Sequence, residues 1–173
     1  MLNFEDIEEI KGLKAKYFRY IDTKQWTALR SLFSDDARYE GLWATAEGPD
    51  AFVANIQRNL SAETFSAHYG FMPEIVALDR DTARGIWAMQ DYLLWPVDSK
   101  KYLGVSVPGQ RGVRGYGHYE EEYRRENGVW KISFLRLSRL RLDPITSDEP
   151  NIPDFPFVRI LPDWLGEGNE TVS

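Results

Sequence analysis

The chain contains no cysteine, which excludes disulfide staples and thiolate metal sites. Its two histidines, His68 and His118, lie far apart and lack the spacing that puts two imidazoles on one helix face, so no metal site is expected. No apolar run approaches the ~20 residues that span a bilayer. The opening residues, Met1 to Glu9, are acidic where a secretory leader would be basic and then apolar. The expectation is a soluble, cytoplasmic protein with no membrane contact. Positive charge is in deficit as well: 21 Lys and Arg against 27 Asp and Glu leave a net charge of −6. Nucleic acid is therefore not an expected partner, because neutralising phosphates needs a basic surplus on one face. Arg124-Arg125 and the series Arg136, Arg139, Arg141 are local clusters, offset by Glu120, Glu121 and Glu122.

What is present suits a single packed domain. Hydrophobic residues make up 43% and aromatics 14% of 173 residues. A core of that size buries roughly two-thirds of the unfolded chain's surface. Ile7, Ile10, Leu13, Tyr17, Phe18 and Ile21 recur at helical spacing, with Glu5, Glu8, Lys11, Lys14 and Arg19 filling the other face. Asp22 and Thr23 then break the pattern, and a second helix carries Trp26, Leu29, Leu32 and Phe33 on one stripe. A third begins at Gly48-Pro49-Asp50, with proline in its first turn, and runs through Phe52, Val53, Ile56 and Leu60.

After Ser61 the period changes from helical to two. Strands are expected over 64–72, 74–78, 82–95, 116–125 and 129–142, with a short additional one near 38–42. Asn127-Gly128 is the strongest short hairpin signal in the chain. Helices followed by an antiparallel meander define an α+β domain, helices packed on one face of a curved sheet. Residues 96–114 contain Gly104, Pro108, Gly109 and Gly112 and read as a long loop, either a lid or a partner contact. The division expected is a domain over 1–143 and a proline- and aromatic-rich tail over 144–173, packing on the domain or on a neighbouring subunit.

Several polar groups fall on otherwise apolar faces. Tyr17 lies on the buried stripe of the first helix, and Asp22 follows at its end. His68 shares a strand face with Thr64, Ser66 and Gly70. Asp91 shares one with Trp87, Met89 and Leu93, a costly place for a carboxylate without a partner. Arg139 sits among Leu135, Leu137 and Leu140, where a guanidinium needs a carboxylate or a ligand. Each has a plain structural alternative. Asp22 could cap the second helix, Tyr17 could be a core tyrosine, Asp91 and Arg139 could pair as structural ions, and His118 could belong to the scaffold.

The stretch EIKGLKAKYFRYIDTKQWTALRSLFSDDA resembles the opening of SnoaL-like domains in the nuclear-transport-factor-2-like superfamily, nearest to the bile-acid and scytalone dehydratase type. SAHYGFMPEI, GIWAMQDYLLW and GHYEEEYRRENGVWKISFLRLSR are similar to successive strands of that family, in order. The resemblance implies a cone-shaped α+β barrel, three N-terminal helices on a strongly curved, mostly antiparallel sheet enclosing a pocket. It further implies that Tyr17 is a catalytic or substrate-orienting tyrosine, His68 the general base and Asp22 its carboxylate partner. Asp91 and Arg139 match further polar residues of the pocket. His118, Trp87 and Met89 are the remaining candidates for substrate contact.

The expected activity is that of a cofactor-independent lyase, dehydratase-like, acting on a hydroxylated apolar ring such as a steroid, terpenoid or polyketide. Eliminating water from a β-hydroxy carbonyl compound needs a base for the C–H proton and an acid for the departing hydroxide, and histidine serves both in turn. No cofactor is expected. Two other readings stay open: an isomerase or polyketide cyclase on the same scaffold, and a non-catalytic subunit like the small subunit of a ring-hydroxylating dioxygenase. A homodimer or homotrimer is expected, its partner otherwise a small apolar or aromatic ligand.

Overall fold

The structure, a computed structural model, describes residues 3–41, 48–101, 104–147 and 165. Helix α1 spans Phe4–Asp22 and opens on a capping box. The Asp6 N–H donates to Asn3 Oδ1 at 2.8 Å, and the Asn3 N–H donates back to Asp6 Oδ2 at 3.1 Å. The helix buries Ile10, Leu13, Tyr17 and Ile21, as the periodicity predicts, but Lys14 is buried with them and is not part of the solvated face. Short α2 spans Trp26–Ser31, and α3 spans Pro49–Asn59 with its proline in the first turn.

Five strands follow or interleave: β1 (Phe33–Glu40), β2 (Phe65–Ala77), β3 (Thr82–Leu94), β4 (Gln110–Glu126) and β5 (Val129–Thr146). They form one sheet ordered β1-β5-β4-β3-β2, antiparallel except for β1 beside β5. The sheet is curled but unclosed, with β1 and β2 as its edges. The α+β class and the helices-on-curved-sheet arrangement are therefore as expected. The concave side carries the core, built from α1 residues against Phe33, Phe52, Leu93, Tyr119, Tyr123 and Leu135.

Three expectations change. The two strands read over 64–72 and 74–78 are one strand, interrupted by a bulge where the register slips from Phe71↔Ala88 to Glu74↔Ile86. Pro73 cannot donate to the ladder and Met72 adopts a φ of 26°, so the break is local and pairing resumes beyond it. The additional strand begins earlier than 38–42: Phe33, expected to end the second helix, opens β1. Most consequential, β4 starts at Gln110, not Tyr116, so the long loop ends at Gly109. The misleading glycine, Gly112, is a strand residue required by close packing: a Cβ on it would lie 2.1 Å from the Leu93 carbonyl oxygen. Gly117, inside the expected strand, is held as closely, a Cβ there falling 1.9 Å from the Ser138 carbonyl oxygen.

The Asn127-Gly128 hairpin forms as read, with positive φ at both residues (52° and 83°), the geometry of a two-residue turn matched to strand twist. At the far end, β5 continues through Pro144 to Thr146, and Ile145 is buried. Beyond Ser147 the expected tail lies outside the described residues, apart from Leu165.

Candidate functional site

The register of the sheet assembles the site. His68 on β2 is paired with Asp91 on β3, and Asp91 with Gly115 on β4. Alternation turns all three toward the helices. On β5, Arg139 crosses above Gly115 to reach Asp91, its Nη2 donating to Asp91 Oδ2 at 2.5 Å. The absence of a side chain at Gly115 makes this possible, since a Cβ there would lie 2.2 Å from both Arg139 Nη1 and Asp91 Oδ1. Arg139 Nη1 also contacts Met89 Sδ at 3.5 Å. Asp91 is buried to 1% exposure, and its Oδ1 has no hydrogen-bond donor among the described residues.

Asp22 approaches from the other side. It is the last residue of α1, and its carboxylate does not cap α2, whose N-cap is Gln25 without a side-chain bond. Both Asp22 oxygens serve His68. Oδ1 lies 2.7 Å from His68 Nδ1, and Oδ2 accepts the His68 backbone N–H at 2.8 Å. A carboxylate in that place favours the tautomer with its proton on Nδ1 and leaves Nε2 for whatever enters the cavity.

Tyr17, His68, Asp91 and Arg139 line one cavity of about 80 Å³, whose remaining wall is largely apolar, including Phe52, Leu93 and Leu135. Burial, reinforced by Tyr119 and Glu121 nearby, holds the Tyr17 hydroxyl well above the usual phenol range, so it stays protonated and able to donate. Burial does the same for Tyr119, which also lines the cavity.

Beneath these tyrosines lies a buried polar network that the periodicity did not single out. Lys14 donates to Glu121 Oε1, the Tyr123 hydroxyl donates to Glu121 Oε2, and Trp87 Nε1 donates to the Tyr123 hydroxyl at 2.8 Å. The Lys14 ammonium also faces the rings of Tyr119 (3.6 Å) and Tyr17 (4.0 Å). Two signals could have found it. Lys14 stands four residues after Ile10 and three before Tyr17, on the buried stripe, and Glu121 shares its strand parity with Tyr119 and Tyr123.

The structure thus brings Tyr17, His68, Asp91 and Arg139 to one cavity, with Asp22 behind the histidine. It does not bring the other three candidates there. Trp87 and Met89 are buried on the same side but belong to the packing beneath the cavity. His118 alternates with inward Tyr119 and so lies on the opposite face of the sheet, between Ala88 and Ser138. Among the described residues, no group of three His, Asp or Glu is arranged to hold a metal ion. No helix among them is long and apolar enough to cross a membrane.

An open curled sheet packed on helices, with a histidine–aspartate pair facing an apolar cavity, defines a small α+β pocket protein. The SnoaL-like domain family matches residues 3–136, and the chain belongs to that family. Solved structures agree on the fold. Hexachlorocyclohexane dehydrochlorinase type 3 from Novosphingobium barchaimii is 24% identical, with 86% of this chain and 95% of that one covered at a TM-score of 0.66. A putative scytalone dehydratase from Novosphingobium aromaticivorans is 16% identical, covering 88% and 96% at a TM-score of 0.68. A type 2 hexachlorocyclohexane dehydrochlorinase is 22% identical, covering 87% and 96% at 0.69.

Proposed function

We propose that the protein is a cofactor-independent lyase of the dehydratase type, acting on a hydroxylated, apolar ring substrate by histidine-mediated proton abstraction. The observation that carries this reading is the 2.7 Å contact between His68 Nδ1 and Asp22 Oδ1 at the wall of an apolar cavity. Nε2 of His68 removes the acidified C–H proton beside a carbonyl group, and Asp22 stabilises the imidazolium that results. Charge moves to the carbonyl oxygen, where the neutral Tyr17 hydroxyl donates. The C–O bond of the β-hydroxyl then breaks, hydroxide takes a proton from the imidazolium, and a conjugated enone and water leave. Asp91 Oδ1 supplies an acceptor for the substrate hydroxyl, with Arg139 holding that carboxylate in place. Similar folds include hexachlorocyclohexane dehydrochlorinases and a protein described as a putative scytalone dehydratase, both names of elimination chemistry, which supports the class of reaction.

The same groups would serve an isomerase or cyclase, in which the proton returns elsewhere or a ring closes. Incubation with β-hydroxy ketones drawn from steroid, terpenoid and polyketide chemistry, followed by mass analysis, separates them. Elimination lowers the product mass by one water. An unchanged mass with altered retention would replace the lyase by an isomerase. A homo-oligomer is part of this proposal, supported by Phe65, Tyr69, Phe71 and Val76 exposed along the outer side of edge strand β2. Light scattering reads it directly, and a monomer at working concentration would remove it.

A further inference from the structure

Three alternate residues on the inward side of β2 and its approach each hold a side chain from another segment. His68 holds Asp22. Ser66 Oγ accepts from Lys24 Nζ at 2.8 Å. Thr64 Oγ1 accepts from Lys100 Nζ at 2.7 Å, and the same ammonium donates to the Asn59 carbonyl oxygen at 2.6 Å. At the rise of an extended chain, Ser66 is about 7 Å and Thr64 about 14 Å along the strand from His68. Asn59 itself lines the cavity. The two lysines therefore continue the line that starts at the proposed base.

Both ammoniums are half-buried, and among the described residues neither forms an ion pair with a carboxylate. Their bonding partners are neutral oxygens. Asp22 and Glu63 act on them only at longer range, and each lysine's pKa is lowered, chiefly by burial. The backbone at Lys24 adds a second observation. The Gln25 N–H bonds to the Tyr20 carbonyl and the Lys24 N–H to the Ile21 carbonyl, which is the left-handed ending of a helix. Lys24 occupies the left-handed position, at φ 61°, where glycine is the usual residue. A lysine stands in a left-handed position that glycine would fit, and its ammonium donates to Ser66 Oγ.

We infer that Lys24 and Lys100 form an anion subsite beside the cavity, and that the substrate carries a carboxylate or phosphate group on the side remote from the reacting carbon. This rests on the lyase reading for the word substrate, but not for the binding. An anion placed between the two ammoniums would gain charge-assisted hydrogen bonds in a partly desolvated site, while the ring occupies the apolar cavity. Trp26 and Trp95 lie within 6.0 and 5.9 Å of the two ammoniums, so tryptophan fluorescence reports occupation.

The test compares benzoate, phenyl phosphate and the neutral isostere benzamide by fluorescence titration at pH 7 in low salt. The full chain is used as wild type, Lys24→Gly, Lys100→Met, the double variant and His68→Ala. The expected result is at least a tenfold preference of the wild type for an anion over benzamide, with the tighter of the two anions identifying the group. Each lysine variant should lose several-fold in anion affinity, and the double variant should bind all three probes alike. Lys24→Gly should melt no lower than wild type, because glycine relieves the left-handed backbone, so its loss cannot be blamed on unfolding. His68→Ala should keep the preference, which separates this inference from the fate of the lyase. Equal binding of anions and benzamide by the wild type, absence of anion binding, or a preference that survives in the double variant would overturn it. So would a preference abolished by His68→Ala, which would assign the anion to the imidazole.

Discussion

Lys14 and Glu121 form an ion pair whose two side chains are wholly excluded from solvent. The pair ties α1 to β4 directly below Tyr17 and Tyr119, so it supports the floor of the cavity. Removing one partner leaves the other charge buried. Lys14→Met should lower unfolding free energy by about 3–5 kcal/mol, and Lys14→Met/Glu121→Leu should recover most of that loss. Urea titration measures both; equal losses in single and double variants would contradict the pairing.

The same lysine gives stability a pH dependence of definite sign. Burial brings its pKa from 10.5 down to about 8 in the folded chain, against the attraction of Glu121. Between those values the unfolded chain holds the proton that the folded one has released, so Lys14's contribution to stability rises with pH from about 8 to 10.5. Wild type should gain on Lys14→Met/Glu121→Leu across that window. A gap that narrows as pH rises would contradict it.

Gly115→Ala tests the route by which Arg139 reaches Asp91. The added methyl would lie 2.2 Å from Arg139 Nη1 and Asp91 Oδ1. Overpacking of this kind costs about 1–3 kcal/mol, and separating the buried ions adds to it. Thermal melting should show a clear drop, together with lost turnover. A variant as stable and active as wild type would show that the cavity wall does not depend on this pair.

Tyr17→Phe removes a hydroxyl and keeps the ring that packs edge-on against Phe18, Phe33 and Tyr119. Stability should change by about 1 kcal/mol. If the hydroxyl donates to the developing enolate, kcat should fall by about 10²–10³ with KM little altered. A wild-type kcat would remove Tyr17 from the chemistry.

Periodicity made the fold legible because each segment keeps one period: α1 at helical spacing, β3 in strict alternation from Ala83 to Leu93. It also brought His68, Asp91 and Arg139 to notice, since polar groups on apolar faces stand out. The late start assigned to β4 has a clear source. Gly112 resembles a loop residue in sequence, yet Gly112, Gly115 and Gly117 are spaces left in a strand for a neighbouring backbone or for Arg139, and that neighbour is remote in the chain. Lys14 and Glu121 each sit on a buried face by periodicity, but that they pair, 107 positions apart, emerges only from the folded chain. Lys24 gives no periodic signal at all; its left-handed backbone and its reach to Ser66 emerge only from the folded chain.

In the proposed reaction His68, oriented by Asp22, takes a proton from carbon so that water can leave. The most direct measurement follows ultraviolet absorbance over the β-hydroxy ketone panel with wild type and His68→Ala, side by side at matched, folded concentrations. The expected result is a growing enone band with wild type and none above background with His68→Ala, on at least one member of the panel. An enone band of equal rate from both proteins would contradict it.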